Sequence, residues 1–81
     1  MKLRLSERAQ KDYRKLTPAL QARVDKQFGL LLADLRHPSL RAKKYDEASD
    51  VWQGRVDRGY RFYFVIRGDT YVIVRIIRHP K

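Results

Sequence analysis

Arg55, Arg61 and Arg78 are the side chains through which this chain could do chemistry, because local turn signals bring them onto one sheet face. Gly68-Asp69 reads as a two-residue hairpin turn, with glycine supplying the positive φ that such turns require. That turn pairs Arg67 with Thr70, Tyr63 with Val74 and Arg61 with Ile76. Asp57-Arg58-Gly59 reads as a three-residue hairpin loop with Gly59 in the left-handed position. It sets Arg55 directly opposite Arg61, with Arg78 a diagonal neighbour across the other hairpin. Like charges facing each other across a ladder are destabilising, so the cluster implies an anion seated on it. Guanidinium forks match phosphate, and Tyr63 and Gln53 stand beside them. The competing reading is a solvated face on which two of the three arginines pair with Asp57 or Asp50.

Other candidates carry weaker signals. Lys43, Lys44 and Tyr45 read first as an exposed loop, and second as a basic rim that adds phosphate contacts and one stacking aromatic. His79 has a side chain whose ordinary pKa suits proton transfer, although a lone histidine at a strand end is more often structural. His37 precedes a proline and helps to terminate a helix. Trp52 and Tyr60 read as core. Asp46, Glu47 and Asp50 balance charge in a basic chain. No metal-ligand spacing, glycine-rich phosphate loop or nucleophile triad is present, so neither a metal nor a cofactor is expected.

The elements that must position these groups follow from periodicity. Lys2 to Leu5 alternates and forms a short strand. Ser6 is a helix N-cap, followed by Glu7 in the first turn and an apolar stripe of Ala9, Tyr13 and Leu16. Thr17-Pro18 restarts the helix, and Leu20, Val24, Phe28, Leu31 and Leu35 share a face that ends near Arg36. Leu40 to Asp50 is polar and irregular. Strands at about 51–56, 60–67 and 70–78 follow. By parity Trp52, Gly54, Val56, Tyr60, Phe62, Phe64, Ile66, Tyr71, Ile73 and Ile77 meet the helices. Gln53, Arg55, Arg61, Tyr63, Arg67 and Arg78 lie opposite, with Val65, Val72, Val74 and Ile76. Arg75 falls by parity on the helix-covered face and would have to reach past the helix ends to solvent. The expected order is βααβββ: an α+β fold with a helical hairpin on one face of a small antiparallel sheet.

Bulk properties narrow the partners. The chain has 81 residues, no cysteine and a formal net charge of +10. That is one small domain over 1–81, without a disulfide framework, suited to a reducing cytoplasm. Its N-terminus is charged throughout, and no run is long enough to span a membrane. The charge favours a polyanion, either nucleic acid or an acidic protein that masks the surface.

The pattern Trp52-x-x-Arg55-Val56-x-x-Gly59-Tyr60-Arg61-x-Tyr63, then a Gly-Asp hairpin and a closing strand ending in Arg78-His79, resembles the RelE/ParE superfamily of bacterial toxins. The helical hairpin and the HPSLRAKKY segment are similar too. The resemblance implies a toxin of a type II toxin–antitoxin pair, neutralised by a co-expressed antitoxin. RelE-like members cut mRNA in the ribosome without a metal, and ParE-like members inhibit DNA gyrase. For the ribosome-dependent endoribonuclease, the first expectation, the resemblance gives Arg61 the scissile phosphate and Arg55 and Arg78 supporting charge. It gives His79, or else Tyr63, the proton transfer. Family nucleases often carry an aromatic after the last strand. Here the sequence reads Pro80-Lys81, which leaves Lys81 or a loop residue as further proton carriers, or a gyrase inhibitor without catalysis.

Overall fold

The computed structural model describes residues 1–79. Strand β1 (Lys2–Leu5) leads into helix α1 (Glu7–Arg14) and then α2 (Pro18–Ala33). A 3-10 turn (Pro38–Leu40) precedes β2 (Lys43–Asp46), β3 (Val51–Arg55), β4 (Tyr60–Arg67) and β5 (Thr70–Arg78). The strands form one sheet in the order β1-β5-β4-β3-β2, antiparallel except where β1 runs parallel to β5. The α+β architecture with two helices on one sheet face is the expected one.

Both helix starts are built as their residues dictate. Ser6 Oγ accepts the Ala9 N–H at 3.1 Å, and Thr17 Oγ1 accepts that of Leu20 at 3.2 Å, with Pro18 in the first turn. Helix α2 ends at Ala33 rather than near Arg36. Asp34 leaves the helix in an extended conformation, and its carboxylate takes the Arg36 N–H at 2.9 Å. This local bond competes with helix continuation. Val24, Phe28 and Leu31 of α2 are buried against Phe62, Phe64, Tyr71, Ile73 and Ile76, with Leu40 and Ala9 closing the core.

The polar segment after the 3-10 turn is partly a strand, which its composition did not suggest. Strand β2 pairs Lys43 with Gln53 and Lys44 with Trp52. Its ladder partner, the edge of β3, supplies the driving force. A short, charged edge strand also guards the sheet against further pairing.

The larger correction concerns β5. Phe64 pairs with Ile73, but Tyr63 pairs with Arg75 and Arg61 with Ile77, so Val74 is a bulge residue. Tyr63–Val74 and Arg61–Ile76 are therefore not the pairs formed. The bulge is held from the helix side: Ser6 Oγ donates to the Val74 carbonyl at 3.1 Å, and Asp12 Oδ2 accepts the Ile76 N–H at 2.9 Å. Alternation reverses beyond it. Ile76 drops into the core, and Ile77 and Arg75 turn to the face away from the helices. Arg75 then reaches Asp12 with two hydrogen bonds of 2.8 and 3.3 Å. It does not lie under the helices, as parity had suggested.

Asp12 thus joins α1 to β5. Burial pushes its carboxyl pKa up, but the Arg75 and Ile76 hydrogen bonds, with the charges of Arg75 and Arg8, carry it below its ordinary value. A depressed folded pKa means stability that is present above the unfolded value of about 3.9 and lost as pH falls through the folded one. Asp12→Ala should cost about 1–3 kcal/mol at pH 7, because Arg75 and the Ile76 N–H lose their acceptor. Urea unfolding from pH 7 down to pH 2 checks this: the gap between variant and parent must narrow below about pH 4.

Candidate functional site

Arg55 and Arg61 are direct cross-strand partners, as the turn signals require. The loop between them is made differently from the expected one. Gly59 does not have a positive φ; Gly68, at +60°, is the glycine that does. Instead Asp57 Oδ1 accepts the N–H groups of Gly59 at 2.8 Å and Tyr60 at 3.0 Å, and this carboxylate cap closes the loop. Burial alone would raise the Asp57 pKa, but the Gly59 and Tyr60 N–H groups and Arg23 hold it low.

The half-buried Arg61 guanidinium is braced by the loop, donating Nη1 to the carbonyls of Asp57 and Tyr60. Loss of solvent, then the neighbouring charges of Arg55 and Arg41, push its pKa below the ordinary arginine value. It remains a cation. Neither acid that might have neutralised the pair does so. Asp57 pairs with Arg23 at 2.8 Å, and Asp50 with Lys44 at 2.6 Å. Among the described residues Arg55 and Arg61 have no carboxylate partner. Two facing cations, one of them held by two backbone carbonyls and neither in an ion pair, leave this end of the sheet strongly basic.

The remaining expected residues divide. Tyr63 lies on the same face but is buried; its hydroxyl donates to Gln53 Oε1 at 3.2 Å, and Tyr45 meets its ring edge-on at 5.0 Å. Burial, then the Tyr45 hydroxyl, raises its pKa. Arg78 is not on this face. The bulge pairs it with Tyr60, with its guanidinium 6.0 Å from that ring. His79 follows exposed, its N–H donating to the Gly59 carbonyl at 2.9 Å. Lys43 pairs with Gln53 and so belongs with Tyr45 to the side away from the helices. Lys44 turns to the other side, 5.5 Å above the Trp52 ring. Lys81 lies outside the described residues.

Two residues that sequence reasoning passed over help to build the site. Buried Gln27 donates Nε2 to the Arg55 carbonyl at 2.7 Å and to Ser39 at 3.2 Å, fixing the end of β3 to the 3-10 turn. Its signal was there to find: a glutamine within the apolar stripe of Val24, Phe28 and Leu31. Arg41 adds a third charge near Arg61. It sits in a loop, where no periodicity marks it.

Beside the pair, Tyr45, Asp46, Val51, Tyr63, Val74, Arg75 and Ile77 line a shallow groove of about 300 Å³. No group of three or more metal-ligating side chains occurs among the described residues. No helix among them is long and apolar enough to cross a membrane.

Several solved structures share this fold. A YoeB/ParE toxin from Agrobacterium tumefaciens is 13% identical with a TM-score of 0.82, over 99% of this chain and 100% of that one. The intact E. coli RelBE toxin–antitoxin complex contains a chain 18% identical with a TM-score of 0.75, over 99% and 98%. The YoeB dimer from Staphylococcus aureus gives 10% and 0.81, over 99% and 98%. At such identities the likeness is one of fold. No curated protein matches the sequence. The model of the family described as ParE toxin of type II toxin-antitoxin system, parDE, matches residues 3–81. With that match running through both helices and the whole sheet, the chain belongs to the ParE toxin family of type II toxin–antitoxin systems.

Proposed function

We propose that this toxin acts by binding, as a DNA gyrase inhibitor, and that the Arg55–Arg61 pair holds an anionic group of its target. The observation that carries the reading is the turn of Arg78 away from the pair, to Tyr60. A phosphate-cleaving site needs charge stabilisation together with groups that move protons to and from the reacting oxygens. Here one of the three arginines is elsewhere, and the Tyr63 hydroxyl is engaged by Gln53 in a buried position. What remains is suited to holding an anion. Family membership supports the same reading. A co-expressed antitoxin that masks this basic face is the expected partner; the E. coli RelBE structure of similar fold is itself a toxin–antitoxin complex.

Cleavage of mRNA on the ribosome is the alternative, and His79 is the observation in its favour. Its backbone is tied to Gly59, in the loop that braces Arg61. His79→Ala separates the two readings. Loss of a proton-transfer group lowers a rate by roughly 10²–10⁴, whereas a binder should keep its growth inhibition. Expression without antitoxin should induce the DNA-damage response while mRNA stays intact. Prompt, codon-positioned mRNA cuts that vanish in His79→Ala would overturn the proposal.

A further inference from the structure

On the helix side of the sheet a second basic concavity opens, of about 380 Å³ and lined by Leu35, Arg36, His37, Pro38, Arg41, Ala42 and Trp52. It contains neither Arg55 nor Arg61, although Arg41 stands between it and that pair, and the proposal does not depend on which target the toxin has. We propose that this pocket binds a nucleoside phosphate, with Arg36 and Arg41 on the phosphate and the base against the apolar wall of Leu35, Pro38 and Trp52.

The pocket is firmly built. Leu40, fully buried, anchors the 3-10 turn in the core, and Gln27 holds Ser39 at 3.2 Å. His37 Nδ1 accepts the Ser39 N–H at 3.1 Å, which leaves Nε2 to carry the ring proton as a donor. Trp52 is fixed between Lys44, 5.5 Å from its centroid, and Phe64, stacked at 6.0 Å. Its volume lies in the range of small-ligand sites, and its mix of apolar wall and few polar groups is theirs too.

The charge is of one sign. No acid lines the pocket. The ion pairs among the described residues are Lys2–Asp69, Arg23–Asp57, Lys44–Asp50 and Arg75–Asp12, so Arg36 and Arg41 are in none. The carboxylate nearest in sequence, Asp34, is already bonded to the Arg36 N–H. Arg41 also holds a left-handed backbone, φ 46° and ψ 41°, which glycine adopts freely and arginine does not. A strained arginine on a rigid turn, close enough to Arg61 to depress its pKa, is where function offsets a local cost. A phosphate between Arg36 and Arg41 supplies the missing counter-charge, and guanidinium also packs well against a planar base.

The chain has one tryptophan, so Trp52 fluorescence reports this pocket. AMP titrated into the purified full chain should change the emission saturably. Arg36→Gln and Arg41→Gln should each weaken binding about tenfold or more. Arg4→Gln, on β1 at the opposite edge of the sheet, should leave it within about twofold. Arg41→Gly should raise Tm yet lose the same affinity, which separates binding from folding. A single-stranded hexanucleotide that binds more tightly than AMP through the same two arginines names a nucleic acid as the source. AMP binding at least as tightly names a free nucleotide. The proposal is overturned by no saturable response to either ligand, by equal losses in Arg4→Gln, or by full affinity in Arg41→Gly. Binding of inorganic phosphate or hexaglutamate as tight as that of AMP overturns it as well.

Discussion

Arg61→Ala is expected to abolish growth inhibition while leaving the fold intact. Arg61 faces Arg55 without a carboxylate partner, so its contribution to the folded chain is small and partly repulsive. Its two bonds to the Asp57 and Tyr60 carbonyls are local, and the Asp57 carboxylate closes the loop without it. Removing it should move stability by no more than about 0.5 kcal/mol in either direction. Its contribution to target binding is of another size. A charge-assisted hydrogen bond contributes about 1.5–3 kcal/mol, roughly a 10- to 150-fold change in affinity. Arg61→Lys keeps the charge but loses the fork, and should fall between parent and alanine variant. The checks are growth after induction without antitoxin, inhibition of gyrase supercoiling by the purified variants, and thermal unfolding. An Arg61→Ala protein that still inhibits growth fully would remove the pair from the mechanism. A fall in Tm of more than about 5 °C would instead assign Arg61 a structural role.

Gly54→Ala should produce the largest loss of stability among single-methyl changes in the sheet. A Cβ at this position would stand 2.3 Å from Phe62 Cζ and under 3 Å from two further ring carbons. The ring cannot retreat. Phe62 is fully buried, meets Phe28 edge-on at 5.3 Å and stacks on Phe64 at 5.6 Å. Overpacking of this kind costs about 1–3 kcal/mol, and the absence of any free direction argues for the upper end. In a domain this small, that lowers Tm by roughly 12–24 °C. Shortening the opposing side chain should relieve the clash, so Gly54→Ala with Phe62→Leu should be less destabilised than the sum of the single changes by about 1 kcal/mol. Urea unfolding of the four proteins completes the cycle. A Gly54→Ala midpoint equal to the parent's would show that the strand shifts freely at this point.

Gly54 belongs to the legible part of the chain only in its parity. Alternation put it on the helix-facing side opposite Phe62, but the closeness of the ring depends on how α2 presses Phe28 down on it. The arginines divide in the same way. Arg55 opposite Arg61 follows from a short hairpin, and the pairing held although Asp57, not a left-handed Gly59, closes the loop. The paired basic charges, both helix caps at Ser6 and Thr17-Pro18, and the Gly68-Asp69 turn are likewise local matters. Each depends on residues within a few positions of one another, and the chain's own chemistry is enough to specify them.

The fate of Arg78 is of the other kind. Nothing between Gly68 and Arg78 announces a bulge at Val74, because the groups that hold it, Ser6 and Asp12, are more than sixty positions away. One extra residue in a ladder of period two reverses every side chain after it, which is why Ile76 rather than Ile77 entered the core and Arg78 left the arginine face. Strand β2 formed because β3 offered it an unpaired edge, and Arg41 came near Arg61 because Leu40 and Gln27 pinned the turn. Local spacing therefore settled the charge and the Arg55–Arg61 pair. Long-range hydrogen bonds and core packing chose which cations stand beside that pair, since contacts distant in sequence leave no period in it to read.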